Sequence, residues 1–195
     1  MMEKLTREQL YSLEDYASLR PEFRARVMAH KKNRQVHIGP HATLYFEDRL
    51  TMQYQIQEML RAERIFEADG IQEELDAYNP LIPDGQNWKA TFMIEYEDVE
   101  ERQVALRQLI GIEDLVWVRV DGFDAVYPIS NEDLERTTAD KTSSVHFMRF
   151  ELSPEMCAAV KNGASISMGI KHPAYSYEIE PIASNIRDSL AGDLD

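Results

Sequence analysis

Cysteine is almost missing. Cys157 is the only one among 195 residues, so one chain holds no disulfide framework and no cysteine-built zinc or iron–sulfur site. A lone cysteine fits a reducing compartment. Long apolar runs are missing too. The longest reach four or five residues, far below the ~20 that a membrane-spanning helix needs. The opening stretch, MMEKLTREQLYSLEDY, lacks the apolar core of a secretory signal. These features together predict a cytoplasmic protein.

Basic charge is scarce. The net charge is −14 and the pI about 4.8. Such a chain repels phosphate backbones and anionic membranes, so neither nucleic acid nor membrane is an expected partner. Familiar chemistry-bearing motifs are also lacking. The sequence contains no Walker loop, no G-x-G-x-x-G, no G-x-S-x-G, no HExxH and no EF-hand loop. The acidic stretch Glu67–Asp76 lacks the spacing of a calcium loop. No catalytic residue and no cofactor is identified on this basis.

What is present suits an ordinary globular core. Apolar residues make up 44% and charged residues 29%. The length suits one large domain or two small ones.

Residues 1–85 read as mainly helical with one strand or hairpin. Thr6 and Gln9 have capping-box spacing ahead of Leu10, Leu13 and Tyr16. Pro21 favours a fresh helix start, with Phe23, Val27 and His30 on one face. Val36 and Ile38 alternate, Gly39-Pro40 turns, and Thr43–Phe46 resumes. Arg49–Glu67 predicts the strongest helix, with Met52, Ile56, Met59, Leu60 and Phe66 as its apolar stripe. Ile71, Leu75 and Tyr78 suggest a shorter one, ended by Asn79-Pro80 and Pro83-Asp84-Gly85.

Residues 86–182 read as β-α-β-β-(α)-β-α-β-β. DLVWVRV and DAVYPIS are expected to form a hairpin around Asp121-Gly122. Residues 183–195 form a C-terminal helix or tail. The expected class is α+β, a helical N-terminal region packed on a mostly antiparallel C-terminal sheet in one folded unit.

Four constellations could carry chemistry. The segment Arg20–Arg34 holds Arg20, Arg24, Arg26, Lys31, Lys32 and Arg34 against Glu22, a net +5 that leaves −19 on the other 180 residues. It reads either as a dock for an acidic partner or an anion, or as a solvated helix face. Second, His37 and His41 flank a Gly-Pro turn. With Glu58 or Glu63 from the long helix they would make a divalent-metal set; the bland alternative is two hydrogen-bonded histidines. Third, Gln53, Gln57, Arg61 and Arg64 share the polar face of that helix and must pair with something if buried. They grip a partner or form an ion-paired surface. Fourth, His172 in the His-Pro-Ala-Tyr turn and His146 on the strand before are titratable, though neither has an adjacent nucleophile. Cys157 reads as a small buried hydrophobe.

The long run from LTREQLYSLEDYASLRPEFRARVMAHKKNRQVHIGPHATLYFEDRL through EELDAYNPLIPDG, with the later TSSVHFMRFELSPEMCAAVKNGASISMGIKHPAYSYEIEP, resembles the bacterial domain-of-unknown-function family numbered thirty-five-zero-one. The resemblance covers nearly the whole chain. Relatives usually carry an acidic residue before His-Pro-Ala-Tyr; this chain has Lys171, which argues against a ligand role there. The resemblance brings no activity with it. It implies a genomic setting beside rubrerythrin-like di-iron proteins and iron–sulfur proteins. The expectation is therefore an accessory protein in a redox or iron-handling module that binds a protein partner through residues such as Arg20, Arg24, Lys31, Lys32 and Arg61. A metal-binding protein or metal-dependent enzyme using His37, His41, Glu58 and Glu63 is the alternative. Self-association is open.

Overall fold

The structure, a computed structural model, describes residues 2–195. The Thr6 N–H donates to Gln9 Oε1 at 3.0 Å, but this box closes only a 3-10 turn, Arg7–Gln9. The first α-helix, α1 (Leu13–Lys31), starts at Ser12, whose hydroxyl accepts from the Asp15 N–H. Pro21 lies inside α1 and does not begin a new helix. Proline in a helix interior costs about 3 kcal/mol. Burial of Tyr16, Phe23 and Val27 along one seam offsets that cost.

A hairpin follows, β1 (Gln35–Ile38) and β2 (Ala42–Glu47). Gly39 turns it at φ +72°, and a side chain there would collide with Tyr175 and Tyr177. Asp48 then caps α2 (Arg49–Ala62) through a reciprocal pair with Thr51, at 2.9 and 3.0 Å. α2 runs antiparallel to α1, with Glu58 beside Tyr16, Tyr54 beside Phe23 and Asp48 beside His30. It ends before the expected Glu67, since Arg64 takes a left-handed φ of 54°. Met52, Ile56 and Leu60 of the stripe are buried, whereas Phe66 is 71% exposed. The shorter helix is α3 (Ala68–Tyr78).

The second half supplies β3 (Asn87–Ile94), α4 (Val99–Gln108), β4 (Val116–Val120), β5 (Ile129–Ser130), β6 (Val145–Glu151), α5 (Pro154–Lys161), β7 (Ile166–His172), β8 (Tyr175–Ile179) and α6 (Ser184–Ala191). The strands form two antiparallel sheets, ordered β1-β2-β3-β6-β5 and β4-β7-β8. The N-terminal hairpin thus joins the C-terminal strands directly, from Ala42 opposite Ile94 to Glu47 opposite Lys89.

The α+β class holds. The Asp121-Gly122 hairpin does not form as expected. Beyond its turn only Val118 and Val126 pair, and β4 takes β7 as its neighbour. Val116, Trp117, Val118 and Val120 are all buried and need a core strand beside them. DAVYPIS instead leaves Tyr127 and Ile129 exposed.

One face of the five-stranded sheet is wholly interior: Val36, Ile38, Leu44, Phe46, Trp88, Phe92 and Phe150 pack with Val116, Val118, Ile166 and Met168 of the smaller sheet. Trp88 Nε1 donates to the Leu190 carbonyl at 2.9 Å and ties α6 to this core. Among the described residues no helix is long and apolar enough to cross a membrane.

Candidate functional site

Strand alternation that sends Leu44, Phe46, Trp88 and Phe92 inward sends their neighbours to the opposite face. Thr43, Tyr45 and Glu47 of β2, Lys89, Thr91 and Met93 of β3, and Val145, Phe147 and Arg149 of β6 lie there in register. α2 and the turn at Tyr78–Leu81 roof only part of this face. The space beneath is a cleft of about 370 Å³, lined by Lys31, Tyr45, Glu47, Met52, Phe147 and neighbours. It adjoins a second cleft of about 430 Å³ that Lys89, Glu132 and Arg149 border. Tyr78, Leu81 and Phe147 belong to both. Beside them, Ile129 and Leu134 stay 45% and 56% exposed.

Glu47 sets the polarity of the first cleft. It is 8% exposed. Thr51 Oγ1 donates to its Oε2 at 2.6 Å and Thr91 Oγ1 to its Oε1 at 2.8 Å. Among the described residues it has no cation within ion-pair distance. Tyr45, one wall, is itself fixed, because its hydroxyl donates to Glu95 Oε1 at 2.8 Å. Burial, then that hydrogen bond, pushes the Tyr45 phenol up.

Next to Glu47 lies a mostly buried ion cluster, whose Arg34 also borders the first cleft. Arg34 is 2% exposed. It donates to the carbonyls of Phe46 and Glu47 at 3.0 and 3.1 Å and to Asp193 Oδ2 at 2.6 Å. Asp48 lies 3.4 Å from Arg34 and 2.5 Å from His30 Nε2. Burial acts to raise Asp48, but Arg34, the Thr51 N–H and His30 outweigh it and hold the carboxyl below its usual range. Asp193 goes the other way. Burial raises it to about 6 despite Arg34.

The anticipated residues are scattered. Arg20 is engaged in a bidentate pair with Glu58, at 2.7 and 3.0 Å, and Tyr16 donates to the same carboxylate at 2.7 Å. The bond from Arg20 holds Glu58 low, while burial first and Glu58 second push Tyr16 up. Lys31 is half-buried, 5.6 Å from the Tyr54 ring centroid. Arg24, Lys32 and Arg61 are exposed.

The structure does not bring His37, His41, Glu58 and Glu63 together. His37 Nδ1 bonds Thr43 Oγ1 at 2.9 Å; His41 stacks on Tyr96 at 3.8 Å and donates to the Glu95 carbonyl. Glu58 faces Arg20, and Glu63 caps the far end of α2 in solvent. Among the described residues no group of three or more His, Cys, Asp or Glu is placed to hold a metal ion.

The glutamines of α2 turn out to hold the chain's own N-terminal strap. Gln57 accepts from the Tyr11 N–H at 2.7 Å and donates to its carbonyl at 3.3 Å; Gln53 donates to the Gln9 carbonyl. Asn79 does the same for Leu5, at 2.8 and 2.9 Å. His146 and His172 are buried with both ring nitrogens bonded. Burial lowers the His146 pKa and raises that of Cys157. Glu47 and Phe147 escaped sequence reasoning as a site, and Arg34, expected in the basic docking segment, is buried instead. The signal was there in ATLYFE, whose alternation puts Glu47 on the face of Tyr45 and Thr43.

The profile of the family described as "Protein of unknown function (DUF3501)" matches residues 4–194. The chain belongs to this family. It is also similar to the crystal structure of a novel protein of unknown function from Burkholderia pseudomallei, with 55% identity and a TM-score of 0.94. That match covers 99% of this chain and 100% of the other. No curated protein matches this DUF3501 member.

Proposed function

We propose that this DUF3501 member is an accessory protein that binds a protein partner on the open face of its five-stranded sheet. One observation carries the reading. The two clefts share Phe147, and Ile129, opposite Arg149 on β6, and Leu134, next to Asp133 of the second cleft, expose about half of their surface. Large apolar side chains grouped at a polar-rimmed groove are the usual composition of an interaction surface. Arg149, ion-paired with both Glu132 and Glu151, supplies such a rim. The redox or iron-handling setting, with a rubrerythrin-like or iron–sulfur partner, is supported only by the family resemblance.

A photo-crosslinking amino acid placed at Ile129 in living cells tests this. A discrete adduct is expected there and none from a control at Glu73 on α3. Leu134→Asp should abolish the adduct, and its protein component shows whether the partner carries iron. Equal labelling from both positions, or none from either, overturns the reading.

A further inference from the structure

We infer that the Glu47 cleft is a binding site for an organic cation, an ammonium or guanidinium group on an apolar stem. The inference goes beyond partner docking and stands on Glu47 and the first cleft, sharing Phe147 with that reading. A carboxylate belonging to a residue only 8% exposed normally has a counter-ion, since burying a bare charge is costly. Glu47 has two neutral hydroxyl donors and no cation within ion-pair distance among the described residues. Each threonine uses one lone pair of a different oxygen, so both oxygens keep acceptor capacity, and Glu47 lines the cleft.

The neighbouring charges favour a cation. Arg34 donates to the Glu47 backbone carbonyl and makes no ion pair with its carboxylate; its charge is met first by Asp193 and Asp48, with Glu47 a weaker third. Arg34 with Asp48, Asp193 and Glu47 therefore sums to −2 when His30 is neutral and −1 when it is protonated. Two cations oppose this: Lys31, with its ammonium over Tyr54, and Arg136, whose guanidinium lies 4.6 Å from the Phe147 ring centroid and leaves only the other side of that ring to a ligand.

The walls choose an organic cation over a metal ion. Tyr45, Tyr78 and Phe147 present aromatic rings, and Met52, Leu81 and Met93 present apolar surface. Aromatic faces attract alkylammonium and guanidinium groups, and apolar walls take the stem. The two threonine hydroxyls hold the carboxylate in place before any ligand arrives, which lowers the ordering cost of binding. A volume of about 370 Å³ admits a small amine or one long basic side chain.

Titration of the full chain with n-butylammonium, n-butanol and butyrate, followed by amide chemical shifts, is the test. Saturable binding of butylammonium alone is expected, with shifts at Glu47, Thr91 and Phe147. Glu47→Gln, checked for an unchanged melting temperature, should weaken it roughly tenfold or more. Phe147→Leu should weaken it about threefold, and Lys31→Gln should tighten it. Nα-acetyl-lysine methylamide separates the sources. Affinity equal to butylammonium assigns a lysine of a partner, and weaker affinity assigns a free amine. Equal binding of butanol, displacement of the amine by equimolar potassium, or an unaffected Glu47→Gln overturns the site. The wild-type charge selectivity decides the matter even if a variant fails to fold. A missing crosslink at Ile129 would leave this result untouched.

Discussion

The polar face of α2 and the open face of the five-stranded sheet use similar side chains and end differently. On α2, Gln53, Gln57 and Glu58 each meet a partner from the same chain, 38 to 46 residues away. On the sheet, Glu47 meets only two hydroxyls and an open cleft. The first surface is closed by the fold from Gln53 to Glu58, with Arg61 and Arg64 left in solvent, and the second is left with an acceptor to spare. A polar residue's type says that it needs a partner. Only the long-range arrangement says whether the partner belongs to the molecule.

The sharpest way to break the closed side of this comparison is at Arg34. Arg34→Met leaves Asp193 and Asp48 buried without their cation. Loss of one partner of a buried pair costs about 3–5 kcal/mol, read as a fall in the urea midpoint. A loss under about 1 kcal/mol would show the cluster to be far wetter than its 2% exposure implies.

The strap clamp is the next test. Gln57→Leu strands the Tyr11 N–H and carbonyl and should cost about 1–3 kcal/mol. Hydrogen exchange should quicken at Tyr11 while the amides of β3 stay protected. Uniform acceleration would mean that the strap unfolds only with everything else.

A smaller effect comes with pH. Asp193 has a folded pKa of about 6, above its model-compound value of 3.8. Its contribution to stability is complete below 3.8 and is lost as pH rises through about 6. Asp48, held low, contributes in the opposite sense: its part is present above 3.8 and is lost as pH falls below. Melting temperatures between these limits should therefore fall with rising pH, and Asp193→Asn should flatten that slope. An unchanged slope would place the titration elsewhere.

The smallest stability change concerns the basic edge of α1. Reversing the exposed Arg24 and Lys32 together should alter stability by only about 0.5 kcal/mol, and adding the half-buried Lys31 also removes its contact with the Tyr54 ring. If an acidic partner docks there, stopped-flow association should slow and grow less salt-dependent. Partner recovery that is unchanged across a salt series leaves these residues as a solvated face.

Much of the fold was legible because its signals are local. The start of α2 at Arg49, the Met52-Ile56-Leu60 stripe and the Gly39 turn need only near neighbours to act, and all stand where the sequence puts them. Pro21 was misleading because the local preference for a helix start lost to the buried seam of Tyr16, Phe23 and Val27. Asp121-Gly122 turns, yet its second arm lacks the buried apolar residues that would hold it against β4. The Glu47 cleft was harder still. Tyr45, Thr91 and Phe147 meet across β2, β3 and β6, and register between strands so distant is not written in any one segment.

Arg34 also sets an order of events during synthesis. It leaves the ribosome with β1 and β2, whereas Asp193 and Ser189, which complete its hydrogen bonds, follow more than 150 residues later. β2 likewise waits for β3, and β3 for β6. At about 5–20 residues per second, the hairpin spends many seconds with an uncovered apolar face and a guanidinium short of two partners. Chaperone dependence should therefore concentrate on nascent chains that have passed β2 and not yet reached α6.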